Sequence, residues 1–408
     1  MKSISLLLTL FFFALHVFAQ NINTVFDRAM ASMGNKMYIE AIKDFSFVVG
    51  KDKFYHDAWL NRGKCYEAMK NDESAIKDYS QAIAAKKDYL EAYLCRAALY
   101  ERTGKVKEAA ADLDAILKMK PENTEAWERK ASLELTRKDV EAALKALTKA
   151  IELKTKNAET YVKRADIYIS RKNQGDAIAD LGKAVALNPD LKEAWNKRGS
   201  IYFTQGEWVK ASEDFSKAIE KGLKNEGIFE MRAECYYKNE FWDKALPDLT
   251  TLITTYKTKN PVIYRYRGEV YSSKGNYAEA VKDFSKAIIL NNSDYASYYG
   301  RGYAYAKQGK AKEALALRDF NKAIELKSDA GDAYLKRGIY YFEKKKYDEA
   351  LSDFNKAVKY LPSGESYFYR GALYDVTNKP DESCADLKKA AELKYPAAIE
   401  MIKSRCPM

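Results

Sequence analysis

Histidine is almost missing from this chain. Only His16 and His56 occur in 408 residues, so imidazole-built metal centres and histidine general acid–base chemistry have little raw material. No cofactor, no metal site and no catalytic residue is expected. Proline is scarce at 8 residues, and no Gly/Ser-rich stretch separates one region from another, which reads as one continuous helical body. No phosphate loop, nucleophile elbow or metal-ligand spacing occurs. Beyond the N-terminus no apolar run is long enough to span a bilayer. The cysteines number five, so at least one has no partner within the chain.

What is abundant points to a folded, basic, tyrosine-rich protein. Hydrophobic residues make up 47%, which excludes global disorder. Tyrosine reaches 31 residues and the formal charge is +11. At the N-terminus, Lys2 precedes a mostly apolar run from Ile4 to Ala14, and Val17-Phe18-Ala19 follows. Residues 1–19 therefore read as a secretory signal peptide. Gln20, not a cysteine, directly follows Ala19, so a lipid anchor is not indicated. The expected product is exported, periplasmic or secreted, with no stable membrane insertion after signal removal.

The tryptophans expose the internal order. Trp59, Trp127 and Trp195 are evenly spaced with Tyr93 and Tyr161 midway, which sets a repeat of about 34 residues. Eleven units follow, starting near 22, 56, 90, 124, 158, 192, 226, 261, 295, 331 and 364 and filling 22–395, with 396–408 left as a C-terminal cap. Position 4 of each unit is large and mostly aromatic, from Trp59 to Tyr367. Position 8 is Gly or Ala, as at Gly63, Ala97 and Gly338. Position 11 is usually Tyr, position 20 is Ala except at Ser383, and position 24 is Phe, Tyr or Leu. Positions 4, 8 and 11 share one face of a first helix (A), and positions 20, 24 and 27 share one face of a second (B). The small residues let the two backbones approach, and the large ones fill the space around them. One such hairpin cannot bury its own faces, so neighbours must stack.

This pattern resembles the tetratricopeptide repeat family over residues 22 to 395. The resemblance implies an all-α fold: an α-solenoid, a right-handed superhelix of antiparallel helix pairs with a concave groove lined by the A helices. It further implies protein or peptide binding and no catalysis. The family's Pro near position 32 appears only at Pro121, Pro189 and Pro362; other helix ends are expected to rely on polar turns such as Asn291-Asn292. No unit carries the Lys and Asn pair at positions 5 and 9 that marks carboxylate-clamp repeats, which argues against chaperone-tail binding.

Position 7 is basic in every unit and position 23 is Asp in all but one, where Ala146 accompanies Lys130 in place of Arg. The joint loss implies a physical pair such as Arg198–Asp214 or Arg267–Asp283, charge-assisted and open to bidentate geometry. With those arginines matched, nucleic acid is not an expected partner. Binding of an envelope glycan or other polyanion, as an accessory subunit or binding protein, is kept as the alternative reading.

Regularity breaks in units seven to nine. Pro247 falls inside a B helix and is expected to kink it. Unit seven carries one extra residue before Pro261. Two residues are inserted around Ala316-Leu317, where a bulge inside the helix is expected. In units eight to ten the family's inner positions hold Arg265, Tyr266, Glu269, Tyr299, Tyr303, Lys307 and Phe342. Tyr and Arg combine contact area with a polar handle, so these are the candidate partner-binding residues; packing of the tyrosines against neighbouring A helices is the competing account. Units four to six instead offer Glu128, Arg129, Asp166, Asn196 and Lys197, read as an ordinary wet surface. A Cys384–Cys406 bridge is expected to staple the cap, Cys65 and Cys95 form a second candidate pair, and Cys235 reads as a small buried residue.

Overall fold

The computed structural model describes residues 22–406; the segment read as a signal peptide lies outside them. Every regular element among the described residues is a helix. They form two compact bodies that divide between Asp190 and Leu191, so one holds units one to five and the other units six to eleven. In each body A and B helices alternate as antiparallel hairpins, for example His56–Ala68 with Asp72–Ala85, and Pro261–Ser273 with Tyr277–Leu290.

Every A–B hairpin turns through a positive φ at the same position, although in unit nine Gly309 has an extended ψ of −171° and leads into a 3₁₀ turn. Position 15 has positive φ at Lys36, Lys70, Gly104, Lys138, Lys172, Gly206, Glu240, Gly275, Gly309, Lys345 and Asn378. The left-handed residue lets the chain fold back onto the last A turn. In unit two, Lys70 N–H donates to the Glu67 carbonyl and Asn71 N–H to the Tyr66 carbonyl, both at 2.9 Å, which satisfies carbonyls the helix leaves open. Exits from the B helices come in two kinds. Asp52, Lys86, Lys120, Asn188, Asn291, Lys327 and Leu361 leave the helix with φ between −132° and −143°, and only Lys120, Asn188 and Leu361 precede a proline, so the exit does not depend on one. Lys154, Gly222, Lys257 and Lys394 instead turn through positive φ. At Asn291 the side chain accepts from Ser293 N–H at 3.1 Å.

The contact between the two helices of a unit is size-matched. A Cβ on Gly338 would lie 2.7 Å from the Phe354 ring, and one on Gly63 would lie 2.6 Å from the Tyr79 ring. Gly199, Gly268 and Gly302 face Phe215, Phe284 and Phe320 in the same way. Where position 8 is Ala, as at Ala97, Ala131, Ala165 and Ala233, position 24 shrinks to Leu113, Leu147, Leu181 and Leu249, all buried. The first and last units depart from the rule, with Ala29 beside Phe45 and Gly371 beside Leu387. Ser383, standing where other units have Ala, donates to the Gly371 carbonyl at 2.9 Å.

The position-7 arginines hold the units together. Arg198 Nε and Nη2 donate to Asp214 Oδ2 and Oδ1 at 2.7 and 2.8 Å, and Arg267 grips Asp283 at the same two distances. From unit two onward the Asp side chains are buried and the paired Arg stacks on aromatic neighbours, as Arg62 does on Trp59 at 4.8 Å; in unit one Asp44 is only half-buried and Arg28 is exposed. The remaining nitrogen reaches back to the preceding B helix: Arg62 to Ser46, Arg96 to Ser80, Arg232 to Ser216 and Arg337 to Asn321. Unit four keeps only that backward contact. Lys130 pairs with Asp114 of the preceding unit, so one ammonium replaces a bond the missing Arg–Asp pair no longer makes.

The helix Trp242–Thr254 carries Pro247 within it; proline lacks the N–H of one helical hydrogen bond, and the helix continues beyond it. Other irregularities resolve differently from the sequence expectation. The two-residue insertion makes no bulge around Ala316-Leu317. It is taken up earlier, in a 3₁₀ turn over Lys310–Lys312 ahead of the helix Glu313–Leu326. Ala316 is consequently the small packing residue and Ala314 is exposed. Cys65 and Cys95 are both free thiols, not a pair; burial pushes the Cys65 thiol up to about 11 and that of Cys235 to about 12. Cys384 and Cys406 are joined by a disulfide, which ties the terminal helix Pro396–Arg405 to the last B helix.

Candidate functional site

The A helices of units eight and nine build one wall each of a hollow. On Pro261–Ser273, Arg265, Glu269 and Ser272 fall at helical spacing on one face, and Asn260 starts that helix by accepting from Val262 N–H at 3.0 Å. On Tyr295–Lys307, Tyr295, Tyr299 and Tyr303 recur every fourth residue as a stripe. The space between them, lined also by Asp332 of unit ten, is a cavity of about 590 Å³, within the usual range for ligand pockets.

Gly300 opens this cavity. A Cβ there would come 2.5 Å from the Phe284 ring, so Phe284 is held between Gly268 of its own unit and Gly300 of the next. Position 6 of other units carries a side chain, such as Lys163, Lys197, Tyr266 or Lys336. Gly300 was not among the expected site residues, although its uniqueness at that position is visible in the aligned repeats. A second hollow of about 360 Å³ shares Tyr303 as a wall and continues past Lys307, Lys336, Glu343, Glu365 and Tyr369.

The electrostatics of the first cavity are lopsided. Arg265 donates to Glu269 at 3.2 Å, and its Nε lies 3.2 Å from Asp294. Burial opposes the charge of Arg265, but the two carboxylates outweigh it and hold the guanidinium more firmly protonated than usual. Glu269 also accepts from the hydroxyl of Tyr237. Asp332 accepts a backbone N–H from Ala333 at 2.8 Å and has no ion pair among the described residues. The Tyr299 phenol is pushed up first by burial, then by Asp332, Glu365, Tyr303 and Glu269. Ser272 Oγ and Arg265 Nε are buried without a hydrogen-bond partner, the Asp294 contact not being aligned as a hydrogen bond. Unsatisfied buried donors are uncommon, and both of these line the cavity.

Of the seven candidates, Arg265, Glu269, Tyr299 and Tyr303 meet in the first cavity and Lys307 stands in the second. Tyr266 and Phe342 do not join them. Tyr266 is buried, its ring stacked on Tyr237 with centroids 3.8 Å apart, and Phe342 packs against Tyr347 and Phe354. Those two positions serve packing between helices. The comparison surface also differs from its reading as merely wet. Glu128 accepts from Thr155, Thr160 and Asn157, and Arg129 donates to the Leu94 carbonyl at 3.0 Å. Both side chains are half-buried fixtures of the inner face, whereas Asp166 is exposed.

Family profiles match along the chain. One described as TPR repeat matches residues 165–206 and 259–309; three described as Tetratricopeptide repeat match 96–158, 331–363 and 56–89. Together they cover more than half of it. The chain belongs to the tetratricopeptide repeat family. Proteins of this kind are interaction scaffolds and are generally non-catalytic. Among solved structures, the chain is similar to YrrB, a TPR protein with an unusual peptide-binding site, at 26% identity over 47% of this chain and 97% of that one, with a TM-score of 0.42. A tetratricopeptide repeat protein from Parabacteroides merdae ATCC 43184 matches at 24% identity over 60% of this chain and 97% of that chain, TM-score 0.46. Yeast Tom70 matches at 16% identity over 95% and 99%, TM-score 0.35. No curated protein matches the sequence. Among the described residues of this tetratricopeptide repeat chain, no helix is long and apolar enough to cross a membrane.

Proposed function

We propose that this chain is an exported, non-catalytic scaffold that holds a peptide or protein segment on the inner face of units eight to ten. The observation that carries the reading is the tyrosine-walled cavity between the A helices Pro261–Ser273 and Tyr295–Lys307, lined by the buried Ser272 hydroxyl, which has no hydrogen-bond partner among the described residues, and by the guanidinium of Arg265. Such donors suit the backbone carbonyls of an extended segment, and the rings supply area at modest entropic cost. Export rests on the N-terminal pattern, and the Cys384–Cys406 disulfide suits an oxidising compartment. The alternative, glycan or polyanion binding, draws on the net charge, yet most position-7 arginines already hold a carboxylate.

Affinity capture from the envelope fraction of the source cells tests the reading. The bait is the chain without residues 1–19, set beside a Tyr299→Ala/Tyr303→Ala variant whose helicity is checked by circular dichroism. A defined protein held by the parent and lost by the folded variant is the expected result. Equal recovery by both baits removes the site from units eight to ten. The mass of the product isolated from that fraction reports export: a chain still carrying residues 1–19 overturns it.

A further inference from the structure

We propose that the cavity between units eight and nine receives a basic side chain, lysine or arginine, of the bound segment. This deepens the groove-binding reading and rests on it. The chain is strongly basic overall, but its two adjoining hollows are not. Five carboxylates line them, Glu269, Asp332, Glu313, Glu343 and Glu365, against the cations Arg265, Lys307 and Lys336. Most of these are matched: Arg265 to Glu269, Lys336 to Glu365, and Glu313 to Lys344. Asp332 is not.

The rings point the same way. The tyrosine stripe of unit nine already binds cations from the chain itself, with Lys327 Nζ 4.4 Å from the Tyr295 centroid and Lys307 Nζ 5.5 Å from that of Tyr303. Both lie within the distance at which a ring face attracts a cation. Tyr299, between them in the stripe, has no cation over it among the described residues; its ring contact is with Phe320, centroids 6.2 Å apart. An incoming ammonium or guanidinium would find there an open ring beside the unmatched Asp332 carboxylate, in a half-buried setting where both attractions exceed their value in water. The aliphatic stem would lie along Tyr299 and Tyr303, as long basic side chains do on apolar surface. The Ser272 hydroxyl, buried without a hydrogen-bond partner among the described residues, would donate to a carbonyl of the same segment. A neutral or acidic side chain would leave Asp332 unmatched or set it against a like charge.

Selection of random peptides on the immobilised chain, followed by affinity measurement on the recovered peptides, tests this. Peptides retained by the parent and lost by Tyr303→Ala should share a Lys or Arg at one fixed place. Replacing that residue by norleucine should weaken binding to the parent about tenfold. The same replacement should change binding to Asp332→Asn by much less, because the charge it answers is gone. Groove-dependent peptides with no common basic residue, or an equal loss on both proteins, overturn the basic-side-chain proposal while the groove reading stands. Failure to recover any peptide sensitive to Tyr303→Ala overturns both.

Discussion

Glycine at position 8 carries information that neither its flexibility nor its smallness alone would give. At Gly338 a methyl group would press into Phe354 at 2.7 Å and meet the Asp353 Cβ at 3.2 Å, and Asp353 is the partner of Arg337. At Gly371 the nearest neighbour is Leu387, at 3.2 Å. Alanine gains up to about 1 kcal/mol over glycine inside a helix, whereas overpacking a filled core costs about 1–3 kcal/mol. Gly338→Ala should therefore lower stability by about 1–2 kcal/mol in urea unfolding, while Gly371→Ala should be neutral or mildly stabilising. Adding Phe354→Leu to Gly338→Ala should recover part of the loss, since that combination already exists in units three, four, five and seven. Equal effects at both glycines would refute size matching. The coupling was open to view in the aligned repeats as an Ala–Leu, Gly–Phe exchange. Other features were not. Nothing in spacing alone separates Tyr266, which stacks on Tyr237, from Tyr299, which lines the cavity, because both occupy inner-face positions. The role of Asp114 is hidden for a similar reason: its partner Lys130 belongs to the next unit, whereas the repeated Arg–Asp pairs lie within one.

Turns decide how tightly each hairpin closes, and here most of them use an unfavourable residue. Only Gly104, Gly206, Gly275 and Gly309 supply glycine at the left-handed position after an A helix. Lysines fill five of the others, Asn378 a sixth, and Glu240 the last, at φ 56°. A side chain with a Cβ is disfavoured there by about 1–2 kcal/mol, offset in part by the greater unfolded-state freedom of glycine. Glu240→Gly should thus raise the stability of the unit around Phe229 and Trp242 by about 0.5–1 kcal/mol, read as slower hydrogen exchange in Glu226–Lys238 and Trp242–Thr254. Unchanged or faster exchange would mean that the Glu240 side chain contributes something its geometry does not reveal. The helix pairs were legible from the sequence because their small and large positions repeat in phase. The closing turns were not, since Lys is a common solvated residue whose composition carries no signal for positive φ. The insertion in unit nine shows the same limit. Ala314 and Ala316 are chemically identical, and only the 3₁₀ turn at Lys310–Lys312 makes the second of them the packing residue.

Stacked repeats derive stability from each unit and its immediate neighbours, so buried and half-buried titratable groups in distant units should act as separate alkaline weak points. The phenols of Tyr79, Tyr89, Tyr237 and Tyr299 are all pushed up, in each case first by burial and then by carboxylates such as Glu67, Asp57, Glu269 and Asp332. A tyrosine in the unfolded chain loses its proton near 10.0, while these four keep theirs to higher pH when folded. Their contribution to stability is complete below pH 10.0 and is lost as pH rises toward the folded values. For the fully buried Tyr79 the slope is at most about 1.4 kcal/mol per pH unit over that window, and solvent screening makes it smaller for the half-buried Tyr89, Tyr237 and Tyr299. The surface tyrosines should ionise near the ordinary value without loss of helicity. The buried class should appear later, in steps that coincide with falling helical circular dichroism. Because Tyr79 and Tyr89 belong to unit two, Tyr237 to unit seven and Tyr299 to unit nine, Tyr79→Phe should delay the loss around unit two and leave the later units unchanged. If all tyrosines titrated in one early step with helicity intact, the burial that walls the Tyr299 cavity would itself be in error, and the case for a basic side chain entering there would fall with it.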